Sequence, residues 1–321
     1  MARRRVRLST DLDGVVLPTP VLGASGCFGS GQELAGVMDI RRVGGIVTKS
    51  VTLHPTRGLP TPRMAETASG MLNAIGLQNP GIAEFIRKDG PFIARVGVPV
   101  FVSIAGKTVE EFADVASHVR DLPGVVGIEV NLSSPNMRQL RELFSRDPDA
   151  AAEAVAAVVR TTSVPVFAKL TADVTDIVDM ARECVRAGAH GLSLINTLLG
   201  MAIDVDTFRP SLGNVTGGLS GPAIKPVALR CVFQVARALP EVPIMGVGGI
   251  RSARDAIEFL LAGAWAVQVG TANYFDPHAL VDVARGIGEF LAARRLSSPA
   301  DLRGRVLAPA PTEEQPAYPG G

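Results

Sequence analysis

The sequence predicts a (β/α)8 TIM barrel with insertions after strands 2 and 6. Short apolar runs rich in Val and Ile recur along the 321 residues, and near-continuous apolar strands are what a parallel sheet covered on both faces requires. A helical pattern follows each run, and repeated strand–helix units without reversal favour a closed barrel over an open sheet. The length also suits one barrel of about 250 residues with extensions.

The predicted strands and helices alternate along the chain. The strands are predicted at residues 21–25, 45–49, 99–104, 126–131, 165–170, 191–196, 243–247 and 266–270. The helices that follow them are predicted at residues 33–40, 82–95, 109–120, 150–161, 174–187, 223–238, 253–262 and 277–293. We therefore expect a single domain over residues 1–307, followed by a Pro-rich and disordered tail over residues 308–321.

Two connections in this pattern are too long to be plain links. Residues 50–81 follow strand 2, and residues 197–222 follow strand 6. The second connection contains residues 203–207, in which apolar and polar side chains alternate as in a small strand. Both connections follow strand carboxyl ends, the face on which barrel enzymes carry their catalytic residues.

Composition excludes several classes of function. The net charge is +1, and only 5% of residues are aromatic, so neither nucleic acid nor an acidic membrane is an expected partner. The three cysteines are far apart and form no Cys-x-x-Cys motif, so no metal site, iron–sulfur cluster or disulfide framework is predicted. This cysteine usage indicates a cytoplasmic protein. The sequence has no apolar run of about 18 residues, so no membrane span is predicted. No apolar run follows the basic residues at the start, so no secretory signal is predicted.

Glycines end the last two predicted strands. Strand 7 ends in Gly246-Val247-Gly248-Gly249-Ile250, and strand 8 ends in Val269-Gly270-Thr271-Ala272. Glycines there let backbone N–H groups approach a phosphate, which barrels often bind after these two strands. Each motif alone also fits an ordinary tight turn, but the two in this order favour a phosphate that belongs to a cofactor or a substrate.

Lysines end two other predicted strands. Lys49 ends strand 2 and Lys169 ends strand 5. A lysine at the end of an apolar strand is costly to bury unless it meets an anion. The pair therefore indicates an anionic ligand, such as a flavin that becomes anionic on reduction. The alternative is that the lysines extend to solvent or pair with Glu129.

Amide side chains form a third group at strand ends and in the long connections. Amides both donate and accept hydrogen bonds, so several together match the edge of an imide or ureide ring. A single loop asparagine is more often a plain turn residue. Ser134 lies among them, where a proton-abstracting side chain would be needed. The amides are those of Asn73, Asn131, Asn136 and Asn196, and Thr197 follows Asn196 at the end of strand 6.

Several stretches give the chain a specific resemblance. They are Ala24-Ser25-Gly26-Cys27-Phe28-Gly29, Pro62-Arg63-Met64-Ala65-Glu66-Thr67 running on to Asn79-Pro80-Gly81, Ile195-Asn196-Thr197, Gly217-Gly218-Leu219-Ser220-Gly221-Pro222-Ala223, Gly248-Gly249 and Gly270-Thr271. With these stretches, residues 18–295 resemble a dihydroorotate dehydrogenase of the soluble class, nearest its type-B branch.

The resemblance implies FMN at the barrel mouth and oxidation of (S)-dihydroorotate to orotate in pyrimidine biosynthesis. Residues expected at the flavin are Ala24, Ser25, Lys49, Ser50, Ser103, Asn131, Lys169 and Ile195. Residues expected at its ribityl phosphate are Gly221, Gly248, Gly249, Gly270 and Thr271. Residues expected at the pyrimidine are Lys49, Asn73, Gly76, Leu77, Asn131, Asn136, Asn196 and Thr197. The catalytic candidates are Ser134, as the base for the C5 proton, and Lys49; FMN accepts the C6 hydride.

The chain departs from the soluble class in its catalytic loop. The base there is a cysteine, whereas this chain has Ser134, and residues 137–144 are more charged and more helical in pattern than is usual. Ser103 stands where an asparagine usually faces the flavin. The alternative is therefore a paralogous FMN oxidoreductase that acts on another cyclic amide or enone in specialised metabolism. A third hypothesis is a flavoprotein subunit with little chemistry of its own.

The resemblance also implies partners. Type-B catalytic subunits work with a separate iron–sulfur and FAD subunit that passes electrons to NAD⁺, and this chain has no cluster cysteines of its own. A homodimer is the expectation for soluble relatives. Without the partner subunit, fumarate, a quinone or oxygen would have to accept the electrons.

Overall fold

Eight parallel strands form a closed barrel, as predicted. The computed structural model describes residues 6–133 and 144–306. Each barrel strand pairs with the next along the chain, and the last pairs with the first. The barrel strands β1 to β8 are Val21–Gly23, Gly45–Val47, Val100–Ile104, Val125–Asn131, Val166–Leu170, Gly191–Leu194, Ile244–Val247 and Ala266–Val269.

Helices surround the barrel at the predicted places, with one exception. In the described part of the chain, α1 to α7 are Ile82–Ile93, Val109–Val119, Pro148–Thr161, Ile177–Arg186, Lys225–Ala238, Ala253–Ala262 and Ala279–Ala293. Aspartates at 147 and 176 cap α3 and α4 by accepting from the first backbone N–H groups, which fixes where these helices begin. Among these helices, none is long and apolar enough to cross a membrane.

The helix predicted at residues 33–40 is wrong. The chain forms irregular turns there, followed by a short 3-10 helix at Ile40–Arg42. The Glu33 carboxylate accepts from the Ser30 N–H at 3.1 Å and so closes a turn of its own. Gly36 stands in the middle of the segment, and a glycine inside a short helix costs about 1 kcal/mol. A local turn therefore replaces the helix.

Aromatic side chains fill the lower part of the barrel. The rings of Phe101 and Phe167 meet edge to face, with 5.4 Å between their centres and 89° between their planes. Gly127 makes room for them, because a Cβ there would lie 2.7 Å from the Phe101 ring. A hairpin of Thr10–Asp11 and Val16–Leu17, which is not among the predicted strands, closes the lower end of the barrel by packing its apolar side chains on this layer.

The two long connections pair with each other. Strands Met64–Thr67 and Gly70–Asn73 from the first connection, and Leu198–Met201 and Thr216–Ser220 from the second, form one antiparallel sheet. The small strand predicted at residues 203–207 is only partly present, because Ile203–Asp204 alone is a strand, paired with Arg209–Pro210. Both insertions leave strand carboxyl ends, so their joint sheet lies over the mouth of the barrel.

Candidate active site

Two adjoining cavities lie at the carboxyl-terminal mouth of the barrel. The larger has a volume of about 480 Å³ and the smaller about 140 Å³. Cavities of about 300–1,000 Å³ are typical of sites for cofactors and other small molecules. The residues that line both cavities are Ser25, Cys27, Lys169, Asn196, Thr197 and Ser220. The two cavities therefore meet above Lys169, at the end of β5.

The larger cavity collects the residues predicted at a flavin and its phosphate. Those that line it are Ala24, Ser25, Lys169, Ile195, Gly221, Gly248, Gly249, Gly270 and Thr271. Gly249 has φ +74°, and a Cβ there would lie 2.7–2.9 Å from atoms of Lys225. Only glycine fits so close to the start of α5. The backbone at the end of β7 therefore packs directly against the start of α5 in the wall of the cavity, and a phosphate site requires such a close approach of backbone.

The wall of the larger cavity includes Thr67, whose hydroxyl is buried. Thr67 Oγ1 is one of the buried side-chain atoms in the described residues that have no hydrogen-bond partner, and Thr67 lines this cavity. Buried polar atoms are nearly always paired in folded proteins. The unpaired Thr67 hydroxyl is an exception to this rule within the cavity wall.

The smaller cavity collects the residues predicted at a pyrimidine ring. Those that line it are Lys49, Asn73, Gly76, Leu77, Asn131, Asn196 and Thr197. Ser50 and Lys169, which were predicted at the flavin, line it as well. They come from barrel strand ends and from the first insertion, so strand closure and the joint sheet bring them together. Asn73 is held by its Nδ2, which donates to the Gly218 carbonyl at 3.3 Å across the sheet.

The amides at the ends of β4 and β6 form one hydrogen-bonded group. Asn196 Nδ2 donates to Asn131 Oδ1 at 3.3 Å and to Ser133 Oγ at 3.0 Å. Asn131 Nδ2 donates to Ser50 Oγ at 2.9 Å. Such a network fixes the direction in which each amide presents its donor and acceptor to a ligand. Two predicted residues of this turn, Ser134 and Asn136, lie outside the described residues.

Ser103 lies below the site. It is fully buried and is not among the residues that line either cavity. Its Oγ is 2.8 Å from Ser50 Oγ, and its N–H donates to Thr48 Oγ1 at 3.1 Å. Ser103 therefore supports Ser50 from the barrel interior, and Ser50 is the residue that reaches the smaller cavity.

The two predicted lysines differ in their surroundings. Lys169 Nζ lies 3.2 Å from Glu129 Oε1, which is the ion pair that the sequence offered as an alternative, yet Lys169 also lines both cavities. Burial lowers the pKa of Lys49, Arg63 lowers it further, and the neighbouring Cys27 opposes the shift. A desolvated ammonium favours an anionic ligand, because the ligand restores the solvation that burial removed.

Several cavity residues were not singled out by their chemistry in the sequence. Cys27 lies where the two cavities meet, and burial raises the pKa of its thiol although Tyr274 hydrogen-bonds to it. Glu66 and Thr67 line the larger cavity. Cys27, Glu66 and Thr67 lie inside the stretches that carry the family resemblance, and that resemblance is the sequence feature by which they could have been identified. Tyr274, three residues beyond Thr271, carried no signal of this kind.

Comparison with known proteins decides the family. The family described as dihydroorotate dehydrogenase matches residues 7–291. The chain belongs to the dihydroorotate dehydrogenase family. Its members are oxidoreductases that act on a carbon–carbon single bond of a small molecule, so the chain is an enzyme of this class.

Relatives with high identity carry a more specific name. The protein named dihydroorotate dehydrogenase B (NAD(+)), catalytic subunit, of Geotalea daltonii is 54% identical over 299 residues, which are 93% of this chain and 98% of that protein. The protein of the same name from Geobacter sulfurreducens is 50% identical over 299 residues, with the same coverage of 93% and 98%. The family match and the names of these relatives thereby confirm the resemblance to the type-B branch.

A solved structure confirms the barrel. The crystal structure of DHODH in complex with ferulenol from Eimeria tenella superposes with a TM-score of 0.81 at 23% identity. The match covers 95% of this chain and 90% of that one. At this identity the match shows the fold, which is the (β/α)8 barrel predicted from the sequence.

Proposed function

We propose that the protein binds FMN and oxidises (S)-dihydroorotate to orotate in pyrimidine biosynthesis, as the catalytic subunit of a type-B enzyme. The observation that carries the proposal is the pair of adjoining cavities, one lined by strand-end glycines and one by asparagines, that meet above Lys169. The names of the relatives from Geotalea daltonii and Geobacter sulfurreducens support the choice of substrate.

FMN fits the larger cavity by its chemistry. Gly248, Gly249 and Gly270 would hold the ribityl phosphate with their backbone N–H groups, and Lys169 would lie under the ring where the two cavities join. Bound FMN supplies a hydride acceptor for C6 of the substrate. Lys49 stands at the smaller cavity, where a cationic side chain would meet the negative charge of orotate or of the reduced flavin.

The smaller cavity would orient the pyrimidine and remove its proton. Asn73, Asn131 and Asn196 would bind the ring through their amides, whose directions are set by the hydrogen bonds described above. Ser134 would then take the C5 proton. An alcohol is a much weaker acid than a thiol, so Ser134 as a base requires a proton relay or a site that excludes water.

A second candidate function is favoured by one specific feature of the chain. Serine stands at 134 where the soluble class has cysteine, and the charged segment 137–144 follows it. A flavin cavity kept beside a changed catalytic loop fits a paralogous FMN oxidoreductase that acts on another cyclic amide or enone. The residues that would decide this, 134–143, lie outside the described part of the chain.

The proposal also covers the partner subunit, the cellular location, the oligomeric state and the domain bounds. The words "catalytic subunit" in the names of the relatives support an electron-transfer partner with an iron–sulfur cluster and FAD. The three cysteines are free, which agrees with a cytoplasmic location. We further propose a homodimer, and a single barrel domain over residues 1–307 with a tail over residues 308–321.

The test uses the purified full-length chain. We expect bound FMN in equal amount to protein, bleaching of the flavin by dihydroorotate without oxygen, and a perturbed flavin spectrum on addition of orotate. A structure with orotate should place C5 within about 3.5 Å of the Ser134 hydroxyl. FMN-loaded protein that neither oxidises dihydroorotate nor binds orotate would disprove the dihydroorotate reaction and leave the second candidate.

A further inference from the structure

The barrel interior contains a polar layer directly below the cavities. Barrel interiors are usually filled by branched apolar side chains. Here Glu129 on β4, Lys169 on β5, Ser193 on β6 and Gln268 on β8 are all buried between the aromatic floor and the mouth. This layer connects strands from opposite sides of the barrel.

Glu129 is the centre of that layer. Its Oε1 accepts from Lys169 Nζ at 3.2 Å. Its Oε2 accepts from Ser193 Oγ at 2.8 Å and from Gln268 Nε2 at 3.0 Å. Glu129 is fully buried, and an isolated carboxylate there would be very costly. Three donors, one of which carries a full positive charge, compensate it, which is the condition under which a buried ion pair is tolerated.

Lys169 is the member of the layer that reaches the site. Its side chain is only 5% exposed, yet Lys169 lines both cavities at the point where they meet. Glu129 lies on the opposite side of the ammonium, inside the barrel, and has no contact with the cavities. Any ring bound above Lys169 therefore meets an ammonium that is held in position, and partly offset in its field, by the carboxylate beneath it.

We propose that Glu129 is a positioning residue that, through Lys169, sets the relative affinity of the site for oxidised and reduced flavin. This inference rests on the proposed function, since it requires FMN above Lys169. Charges interact strongly in the water-poor interior of a barrel. The carboxylate offsets part of the ammonium charge, so it limits how strongly Lys169 stabilises the anionic reduced ring, while its hydrogen bond fixes where the ammonium points.

The decisive variant is Glu129→Gln, which removes the charge and keeps the size. Gln268 Oε1 has no hydrogen-bond partner in the described residues. A rotation of the Gln268 amide would turn this oxygen toward the new amide group, so the new amide keeps a hydrogen-bond partner on β8. We expect reduced FMN to gain about tenfold in affinity relative to oxidised FMN, which for a two-electron couple raises the midpoint potential by about 30 mV.

Two further variants separate charge from packing. Glu129→Asp keeps the charge and moves the carboxylate, so we expect weaker FMN binding with a midpoint potential near that of the parent protein. Gln268→Met removes one donor from the carboxylate and leaves its charge less compensated. We therefore expect a smaller shift of the potential in the opposite, negative direction, and this variant tests the inference even where Glu129→Gln does not fold.

The measurements are a redox titration of bound FMN, the dissociation constant of FMN from the apoprotein, and a thermal unfolding curve for each variant. An unchanged potential in folded, FMN-loaded Glu129→Gln protein overturns the inference, as does an equal positive shift in Glu129→Asp. A positive shift of the midpoint potential in Gln268→Met, or no shift, also overturns the inference. Failure of the proposed function appears separately, in the parent protein, as absence of FMN binding or of dihydroorotate oxidation.

Discussion

Asn196 at the end of β6 donates a hydrogen bond of 3.0 Å to Ser133 Oγ beyond the end of β4. Strand β5 lies between these two strands, so the contact crosses the barrel mouth above it. Ser133 immediately precedes Ser134, the proposed base. The proposed pyrimidine site and the proposed catalytic turn are therefore linked through one amide, and we expect a change at Asn196 to affect both.

We expect Asn196→Ala to raise the KM for dihydroorotate and to lower kcat. The variant removes the donor to both Asn131 Oδ1 and Ser133 Oγ. The Asn131 amide and the turn before Ser134 therefore each lose a hydrogen bond that fixes their position. Lost hydrogen bonds of this kind cost roughly 1–3 kcal/mol, or about one to two orders of magnitude in kcat/KM. Steady-state kinetics with an artificial electron acceptor measure the effect.

The matched control is Asn214→Ala. Asn214 Nδ2 donates to the Thr216 carbonyl at 3.1 Å in the second insertion, and Asn214 is not among the residues that line either cavity. It should leave kcat and KM near their parent values. Equal losses in both asparagine variants would argue against a specific role for Asn196.

Ser134 provides a direct test of the base. We expect Ser134→Ala to lower dihydroorotate oxidation by about 10²–10⁴-fold, the usual contribution of a positioned general base. Ser134→Cys should instead raise the rate near neutral pH, because a thiol with a pKa of about 8.5 is closer to the working pH than an alcohol. Rates of flavin bleaching by dihydroorotate over a pH series measure both variants.

The control for a new thiol is Ser117→Cys, on helix α2 away from both cavities. It should not change the rate. If Ser134→Cys gives no gain while the fold and FMN are intact, a different substrate becomes the better explanation. If Ser134→Ala leaves all activity unchanged, the chain is better described as a flavoprotein subunit with little chemistry of its own.

The barrel could be predicted because its outward-facing and inward-facing positions are both largely apolar. Residues 126–131 and 266–270 contain Glu129 and Gln268, but one polar residue does not interrupt the apolar pattern of either strand. That these two side chains meet at 3.0 Å depends on barrel closure, because their strands lie on opposite sides of the barrel. No local pattern in the sequence contains that information, and so the polar layer was not predicted.

The site was predictable where its residues stand at strand ends. Gly248, Gly270 and Lys169 follow from the rule that parallel strands end at one face. Tyr274 and Thr67 were not predicted as cavity residues from pattern alone. Thr67 lies on the joint sheet, and its place depends on strands from two insertions that are more than a hundred residues apart in sequence, as in the pairing of Gly218 with Asn73.

The half-buried Lys49 predicts a pH dependence of stability. Burial lowers the pKa of Lys49 below its ordinary value of about 10.4. The unfolded chain therefore holds more protons than the folded chain between the lowered and the ordinary pKa, and stability rises with pH through that window. Below the window the full cost of the buried charge is present. We expect Lys49→Met to stabilise the ligand-free protein at pH 7, on the order of 1 kcal/mol.

Chemical denaturation of the ligand-free protein between pH 7 and pH 10 measures this difference. The gap between Lys49→Met and the parent should narrow as the pH approaches the ordinary lysine value. The control is Lys107→Met, an exposed lysine between β3 and α2, which should give no comparable gain. A destabilised Lys49→Met protein at pH 7 would show that the lysine makes a favourable contact in the absence of ligand.

The bare backbone at Gly249 predicts a loss of FMN affinity in Gly249→Ala. A Cβ at this position would lie 2.8 Å from the Lys225 backbone nitrogen, so either the end of β7 or the start of α5 must move. A displaced phosphate site should lower FMN affinity by at least about tenfold, and overpacking of this kind costs about 1–3 kcal/mol of stability.

Gly304→Ala separates the clash from backbone strain, because Gly304 has φ +68° with nothing within 4 Å of an added Cβ. That control should lose about 1 kcal/mol of stability through its left-handed backbone and bind FMN with parent affinity, whereas equal FMN affinity in the two variants would remove Gly249 from the phosphate site.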